Sequence, residues 1–253
     1  MHSIQEPSVT GLVYLVLGAS GGIGSELCRR LSAGDNHLAL AGRNPDRLQT
    51  LSEEVGGSIH PLDATSIDEV QSAVDKILGE HGRLDGIVNC VGSILLKPAH
   101  RTTASEWRDT LAANLDTAFA AVRAGTSAMR KSGGSIVLLS SAAAQVGLPN
   151  HEAIAAAKAG VVGLALSAAA SYAPRGIRVN VVSPGLVRTP LSQHLTQNQA
   201  SEKASLAMHP LGRLGEPGDV ASAIAWLLGP EQSWVTGQVL GVDGGLGSIR
   251  SQG

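Results

Sequence analysis

Short apolar runs alternate with amphipathic stretches along nearly the whole chain. Leu12–Leu17 is an apolar run of strand length that stops at Gly18, and a helical spacing begins at Glu26, Leu27 and Leu31. His37–Gly42 predicts a second strand and Pro45–Val55 a helix. Ser58–Leu62 predicts a third strand, followed by a helix from Ser66 with Ile67, Val70, Val74, Ile77 and Leu78 on one stripe. Leu84–Asn89 is the next strand. A long helix over 103–130 follows, with Trp107, Leu111, Leu115, Phe119 and Val122 marking one face. Ser135–Ser140 and Ile177–Val182 predict strands on either side of a helix over Asn150–Tyr172. A last helix around Val220–Leu228 precedes a strand at Gln238–Val242.

Strands apolar throughout their length, alternating with helices, predict a parallel sheet of about seven strands covered on both faces. The fold class expected is α/β, a doubly wound single domain of Rossmann type spanning 1–253. No Pro/Ser-rich linker divides it and no repeat of solenoid period occurs. In such sheets ligands bind beyond the carboxyl ends of the strands. Those ends are Gly18, Gly42–Arg43, Asp63, Asn89–Gly92, Ser140–Ser141 and Ser183–Thr189. The long strandless stretch 186–210, with Leu191, Leu195, Leu206 and Met208 among polar residues, reads as a lid over a substrate; disorder is the other reading.

Composition changes this picture little. At 253 residues the chain can bury a large core. A net charge of −2 with both signs scattered points away from nucleic acid and from an anionic membrane surface. Cys28 and Cys90 read as buried thiols of a reducing compartment. Residues 1–11 lack the apolar core of a signal peptide, so the chain reads as cytoplasmic. The Ala-rich stretch 153–173 carries Lys158, Ser167 and Ser171 and reads as a buried helix, not a membrane span. His2, His37, His60, His81, His100, His194 and His209 show no ligand spacing with Cys or carboxylates, so no metal is expected. His194 and His209 fall on the lid, either against substrate or solvated.

The glycines carry the clearest chemistry. Gly18 allows a tight turn, Gly22 lets backbone approach a ligand, and Gly24 lets helix and strand pack closely. Unpaired N–H groups at the positive end of the following helix suit a pyrophosphate. A dinucleotide is therefore the expected ligand, a ligand-free glycine turn the plain alternative.

The sequence resembles the short-chain dehydrogenase/reductase family over essentially its whole length. The motifs are Gly18-x-x-x-Gly22-x-Gly24, a partial match at Asn89-Cys90-Val91-Gly92, Asn114, Ser140-Ser141, Pro184-Gly185-x-x-x-Thr189, Thr236-Gly237 and Val242-Asp243-Gly244-Gly245. The resemblance implies that Gly18, Ser20, Gly21, Gly22, Ile23, Gly24, Arg43, Asp63, Ala64, Asn89, Gly92, Lys158, Pro184, Gly185, Val187 and Thr189 hold a nicotinamide cofactor. Asp63 would hold the adenine amino group, and Lys158 the nicotinamide ribose hydroxyls. Members that prefer NAD usually have an acidic residue ending the second strand, where this chain has Gly42 and then Arg43. A cation with no carboxylate fits a 2′-phosphate, hence NADP(H) over NAD(H). A solvated Arg43 and a helix-capping Asp63 are the ordinary alternatives.

One family feature is missing. The family's catalytic pair is Tyr-x-x-x-Lys, with a serine thirteen residues before the tyrosine. Lys158 and Ser141 fit that frame, but position 154 is isoleucine. Tyr14 and Tyr172, the only tyrosines, lie in the first strand and at the far end of the Lys158 helix. Lys158, Ser141 and Asn114 are thus expected around an absent proton donor. His151, seven residues before Lys158 on one helix face, is a candidate replacement, at a spacing used by the enoyl-reductase branch. It follows Asn150, a good N-cap residue, so an exposed first-turn histidine is the alternative. Glu152 is a weaker candidate. The expected activity is hydride transfer with a small or medium apolar carbonyl, alcohol or conjugated alkene. The competing expectation is a nucleotide-binding sensor or scaffold. A homotetramer or homodimer formed through helices 103–130 and 150–173 is implied by the resemblance.

Overall fold

A computed structural model describes residues 11–197 and 199–249. The signal-peptide reading of 1–11 and His2 fall almost wholly outside these residues. Seven parallel strands form one sheet in the order β3-β2-β1-β4-β5-β6-β7. They are β1 (Val13–Leu17), β2 (His37–Gly42), β3 (Ser58–Pro61), β4 (Gly86–Asn89), β5 (Gly134–Leu139), β6 (Ile177–Pro184) and β7 (Val239–Val242). The order reverses between β1 and β4, so their carboxyl ends part there and open a crevice.

Alternate residues of each strand enter opposite cores, which is why the central strands β1 and β4 are apolar over most of their length, whereas β6 also buries Asn180 and Ser183. Val13, Leu15 and Leu17 of β1 pack on one side with α3 (Ile67–His81), α5 (Thr117–Ala128) and α6 (Glu152–Tyr172). Tyr14 and Val16 pack on the other with α1 (Gly22–Ser32), α2 (Pro45–Val55) and α9 (Pro217–Leu228). The predicted doubly wound α/β domain is the observed one. Helix α6 is long and apolar enough to span a membrane, yet Ala153, Ile154, Ala157, Lys158 and Val161 are buried in this domain.

Several boundaries differ from the expectation. Helix α1 starts at Gly22, four residues early, because N-terminal amides need no intrahelical partner and tolerate glycine there. The 103–130 helix starts as α4 (Ala104–Leu111), widens into a π turn at Ala112–Asp116 and continues as α5. Its predicted face is buried only in part: Val122 is in the core and Leu115 packs against it, but Trp107 is 41% and Phe119 45% exposed. The sheet-facing stripe is Thr110, Asn114, Thr117, Ala118, Ala121 and Gly125. Small residues are needed there, since a Cβ on Gly125 would stand 2.7 Å from Ile87 Cγ2.

Helix α6 starts at Glu152, with His151 and not Asn150 at the N-cap position. Asn150 lies just before it with φ +64°, a left-handed conformation that asparagine tolerates. The 186–210 stretch carries two helices, α7 (Gln193–Thr196) and α8 (Gln199–Met208), and is anchored by a bridge between Val187 and Gly215. Strand β6 runs two residues beyond its predicted end because Ser183 and Pro184 stay in register with Gly241 and Val242.

Candidate active site and dinucleotide cleft

The turn after β1 is shaped by contact. Gly18 has φ +75°, and a Cβ on Gly24 would stand 2.2 Å from the Gly18 carbonyl oxygen. No side chain larger than glycine fits at 24. A Cβ on Gly22 would stand 2.8 Å from Thr189 Cγ2, so the turn is also closed from the β6 side. Gly21 is the N-cap of α1, no side chain caps that helix end, and its first turn is free of acidic residues. The helix therefore presents its positive end to the crevice.

That crevice is a cleft of about 1250 Å³, larger than a pocket for one drug-sized molecule. Of the residues expected to hold cofactor, Gly18, Ser20, Gly21, Gly22, Ile23, Gly24, Arg43, Asp63, Ala64, Gly92 and Thr189 line it. Asp63 does not cap α3; Ser66 does. The Thr65 N–H and hydroxyl both donate to Asp63 Oδ1 at 2.9 Å. Those bonds, and after them Arg43, hold the Asp63 carboxyl below its usual range. Asn89 serves the frame: it is buried, its Nδ2 donates to Thr117 Oγ1 at 3.0 Å, and its Oδ1 accepts from Val91 N. The Thr189 hydroxyl pairs with Ser192 in the cap that starts the lid helices.

Arg47 and Ser93 also line the cleft and carry no motif signal. Arg47 reaches it because Asn44 and Pro45 start α2 directly after Arg43, placing a first-turn residue beside the β2 end. Periodicity could have located that turn, but not its tilt toward the crevice.

The catalytic frame lies at the ends of β4 and β5. Asn114, in the π turn, is buried; its Nδ2 donates to Ser93 Oγ and to Thr110 O, both at 2.9 Å, and its Oδ1 accepts from Ser93 N. A Cβ on Gly92 would stand 2.9 Å from Asn114 Oδ1 and 3.5 Å from Lys158 Nζ, so glycine here keeps both groups close. Lys158 Nζ donates to Leu139 O at 2.9 Å, and Ser140 Oγ donates to Lys158 O at 2.9 Å. Burial lowers the Lys158 ammonium to about 8. Burial also pushes the neighbouring Cys90 thiol up to about 12, so it stays protonated. Ser141 follows Ser140, half-buried, its Oγ accepting from Ala143 N at 3.2 Å.

Ile154 is 5% exposed, one turn before Lys158, where the family pattern has its phenol. His151 is half-buried and its Nδ1 lies 2.8 Å from Pro149 O. A carbonyl only accepts, so Nδ1 carries the hydrogen and Nε2 is the free ring nitrogen. Its bond is to that carbonyl and not to Ser141, Asn114 or Lys158. Glu152 receives the Ala99 N–H at 3.4 Å, and Asn150 O receives the Lys97 N–H at 2.7 Å. Both tie the 93–103 loop to the start of α6. Pro184 ends β6 and Gly185 follows it; neither these two nor Val187 is among the residues lining the cleft. His209, expected to be a substrate contact or a solvated loop residue, is instead buried against Gly185.

The family model described as enoyl-(acyl carrier protein) reductase matches residues 18–247. A 3-oxoacyl-(acyl-carrier-protein) reductase of Thermotoga maritima is 36% identical over 243 residues, 93% of this chain and 98% of the relative. A short-chain type dehydrogenase/reductase structure from Mycobacterium ulcerans superposes with TM-score 0.89 at 35% identity, covering 95% of this chain and 91% of that one. The structure of ElxO with NADP bound superposes with TM-score 0.88 at 29% identity, covering 94% and 99%. A tyrosine-to-phenylalanine variant of ElxO, with NADPH bound, superposes equally well. With that sheet order, glycine turn and Asn–Ser–Lys frame, the chain belongs to the short-chain dehydrogenase/reductase family.

Proposed function

We propose that this protein is an NADP(H)-dependent oxidoreductase that transfers hydride to or from a small or medium apolar carbonyl, alcohol or conjugated alkene. The single observation that carries the reading is the cleft itself. Its volume of about 1250 Å³ accommodates a dinucleotide, it lacks space for a side chain at its glycine turn, and it is lined where β2 ends by Arg43, Asn44 and Arg47. Two guanidinium groups there suit a 2′-phosphate, which arginine binds with paired donors. NADP(H), when bound, supplies or accepts the hydride.

The chain's own groups divide the rest of the work. Lys158, beside Gly92 and Asn114, would hold ribose hydroxyls and offset developing negative charge on the substrate oxygen. Ser141 would donate a hydrogen bond to that oxygen. Asn114, locked by Ser93 and Thr110, would fix the floor of the site. The 186–210 segment, built on α7 and α8, would serve as a lid that excludes water. A proton must still reach the reduced product. His151 is the titratable group on the Lys158 helix face, and its Nε2 would carry that proton. Loss of the phenol favours one second reading: a nucleotide-binding sensor or scaffold with little hydride transfer. The NADPH-bound Tyr→Phe variant of ElxO shows that loss of a tyrosine hydroxyl in that neighbour is compatible with cofactor binding.

NADPH oxidation measured over ketones, quinones and enoyl thioesters separates the readings. Turnover on one class is expected; bound NADPH with no turnover on any of them supports the sensor. The double variant Arg43→Ala/Arg47→Ala should weaken NADPH binding by about 10²-fold, two charge-assisted contacts being lost, and leave NADH binding within about threefold. Equal losses for both nucleotides, read by fluorescence titration, would remove the 2′-phosphate assignment. His151→Ala should lower turnover by about 10²-fold at neutral pH. Turnover unchanged by that substitution would remove His151 from the proton path.

The exposed Trp107 and Phe119 on α4 and α5, with Leu166 on α6, leave an apolar surface on the two helices through which a homotetramer or homodimer would form. A cytoplasmic location is part of the same reading.

A further inference from the structure

Away from the dinucleotide cleft, a cavity of about 430 Å³ lies where the turn after β6 meets the end of α8. Its wall includes Gly185, Leu186, Arg213, Asp243 and His209. His209 is 3% exposed, and both of its ring nitrogens are engaged. Nδ1 lies 2.7 Å from Ser205 O, in the last turn of α8, and Nε2 lies 3.1 Å from Leu186 N. A carbonyl oxygen only accepts and a backbone N–H only donates. The ring is therefore neutral, with its hydrogen on Nδ1 and its lone pair on Nε2. The fit is close: a Cβ on Gly185 would stand 2.5 Å from Nε2 and 3.1 Å from Asp243 Cα.

We infer that His209 is a positioning residue that couples lid helix α8 to the Pro184–Gly185–Leu186 turn, and that it does so only while its imidazole is neutral. The inference rests on the proposed function in one respect: that this turn borders the nicotinamide end of bound NADP(H). Protonation would place a second ring N–H against the Leu186 N–H, and the bond that joins lid to turn would be lost.

The groups around the ring do not restore it. From the segment after β7, Asp243 accepts Gly245 N at 2.9 Å and Gly247 N at 2.8 Å. From the α8–α9 connection, Arg213 is paired with Asp219 of α9 at 2.6 Å. On α8 itself, Glu202 is paired with Arg188, which also meets Glu216. The turn after β6 contributes Gly185 and Leu186, which carry no charge. None of these carboxylates is hydrogen-bonded to the ring, so a second ring proton meets no acceptor in its place.

The test compares the full chain with His209→Gln. The glutamine amide oxygen reaches about as far as Nε2, accepts from Leu186 N and does not titrate. Hydrogen exchange of segments 184–189 and 199–209, corrected for intrinsic rates, is followed without cofactor at about pH 7.5 and about pH 5.5, a range that spans histidine protonation. In the natural protein both segments should lose protection together, by about tenfold, at the lower pH. In His209→Gln that acid step should vanish. The Kd for NADPH should rise by about fivefold over the same interval in the natural protein alone. Equal protection at both pH values in the natural protein overturns the inference, as does an acid step that persists in His209→Gln. Absence of NADPH binding with the exchange step intact overturns the cofactor reading and leaves the coupling standing.

Discussion

Ile154→Tyr should turn this protein into an ordinary ketone reductase, raising kcat/KM for simple apolar ketones with NADPH by ~10²–10⁴-fold. Position 154 lies four residues before Lys158 on one face of α6, so a phenol there stands one helical turn above the ammonium. Lys158 and Ser141 are already placed by the end of β5 through Leu139 O and the Ser140–Lys158 bond. The variant therefore supplies a proton donor to an existing frame. Its cost is packing: Ile154 is buried, and a larger ring in a filled site costs about 1–3 kcal/mol, visible as a lower thermal midpoint. Steady-state kinetics on natural and variant protein check the result. A folded, NADPH-binding variant with no gain on any ketone would mean that the frame at Ser141 and Lys158 is not arranged for carbonyl reduction.

The outcome also bears on the natural reaction. A conjugated alkene reduced at its far carbon leaves an enolate, which water can protonate without a buried phenol. A ketone leaves an alkoxide, whose protonation benefits much more from a positioned acid. Large gains on ketones with none on enoyl thioesters would point to the alkene as the class this site already handles.

Much of this was legible in the sequence for physical reasons. A strand buried on both faces is apolar at most positions, so β1, β2, β5 and β6 announced themselves despite Ser135 in β5 and Arg178 and Asn180 in β6. Gly24 could be assigned because the close approach of α1 to the β1 turn excludes a Cβ. Lys158 and Ser141 stood at fixed spacings on one helix and one strand end, where local geometry carries the information. The large side chains Trp107 and Phe119 misled because hydrophobic periodicity weighs size, whereas the sheet-facing stripe of α4 and α5 had to be small to bring the helix close to Ile87. Arg47, Ser93 and His209 depend on how separate segments meet. His209 in particular falls in the strandless 186–210 stretch, and its contacts with Gly185, Leu186 and Gly244, distant in the chain, help to bury it.

Lys158→Met should lower turnover by about 10²–10³-fold, the usual loss on removing one donor from a developing charge. Its effect on stability should change with pH in a way that few other substitutions would imitate. Burial lowers the Lys158 ammonium in the folded protein to about 8, from an ordinary value near 10.5. Below about pH 8 the folded state holds a buried charge that the unfolded chain keeps in water, and this opposes folding. Between about pH 8 and 10.5 the folded state has lost that proton while the unfolded state still binds it, so stability of the natural protein rises with pH across this window. The shift corresponds to about 3 kcal/mol. Methionine carries no such charge. The unfolding free energy of Lys158→Met, relative to the natural protein, should therefore be highest at or below pH 8. It should fall by about 3 kcal/mol by pH 10.5, whatever constant the unpaired Leu139 carbonyl adds. Urea unfolding of both proteins from pH 7 to 10.5 gives the comparison. Parallel curves across the range would show that the ammonium is solvated in the free protein. In that case its charge would be equally available at pH 7 and pH 9, and NADPH turnover would not decline through pH 8 as a buried lysine requires.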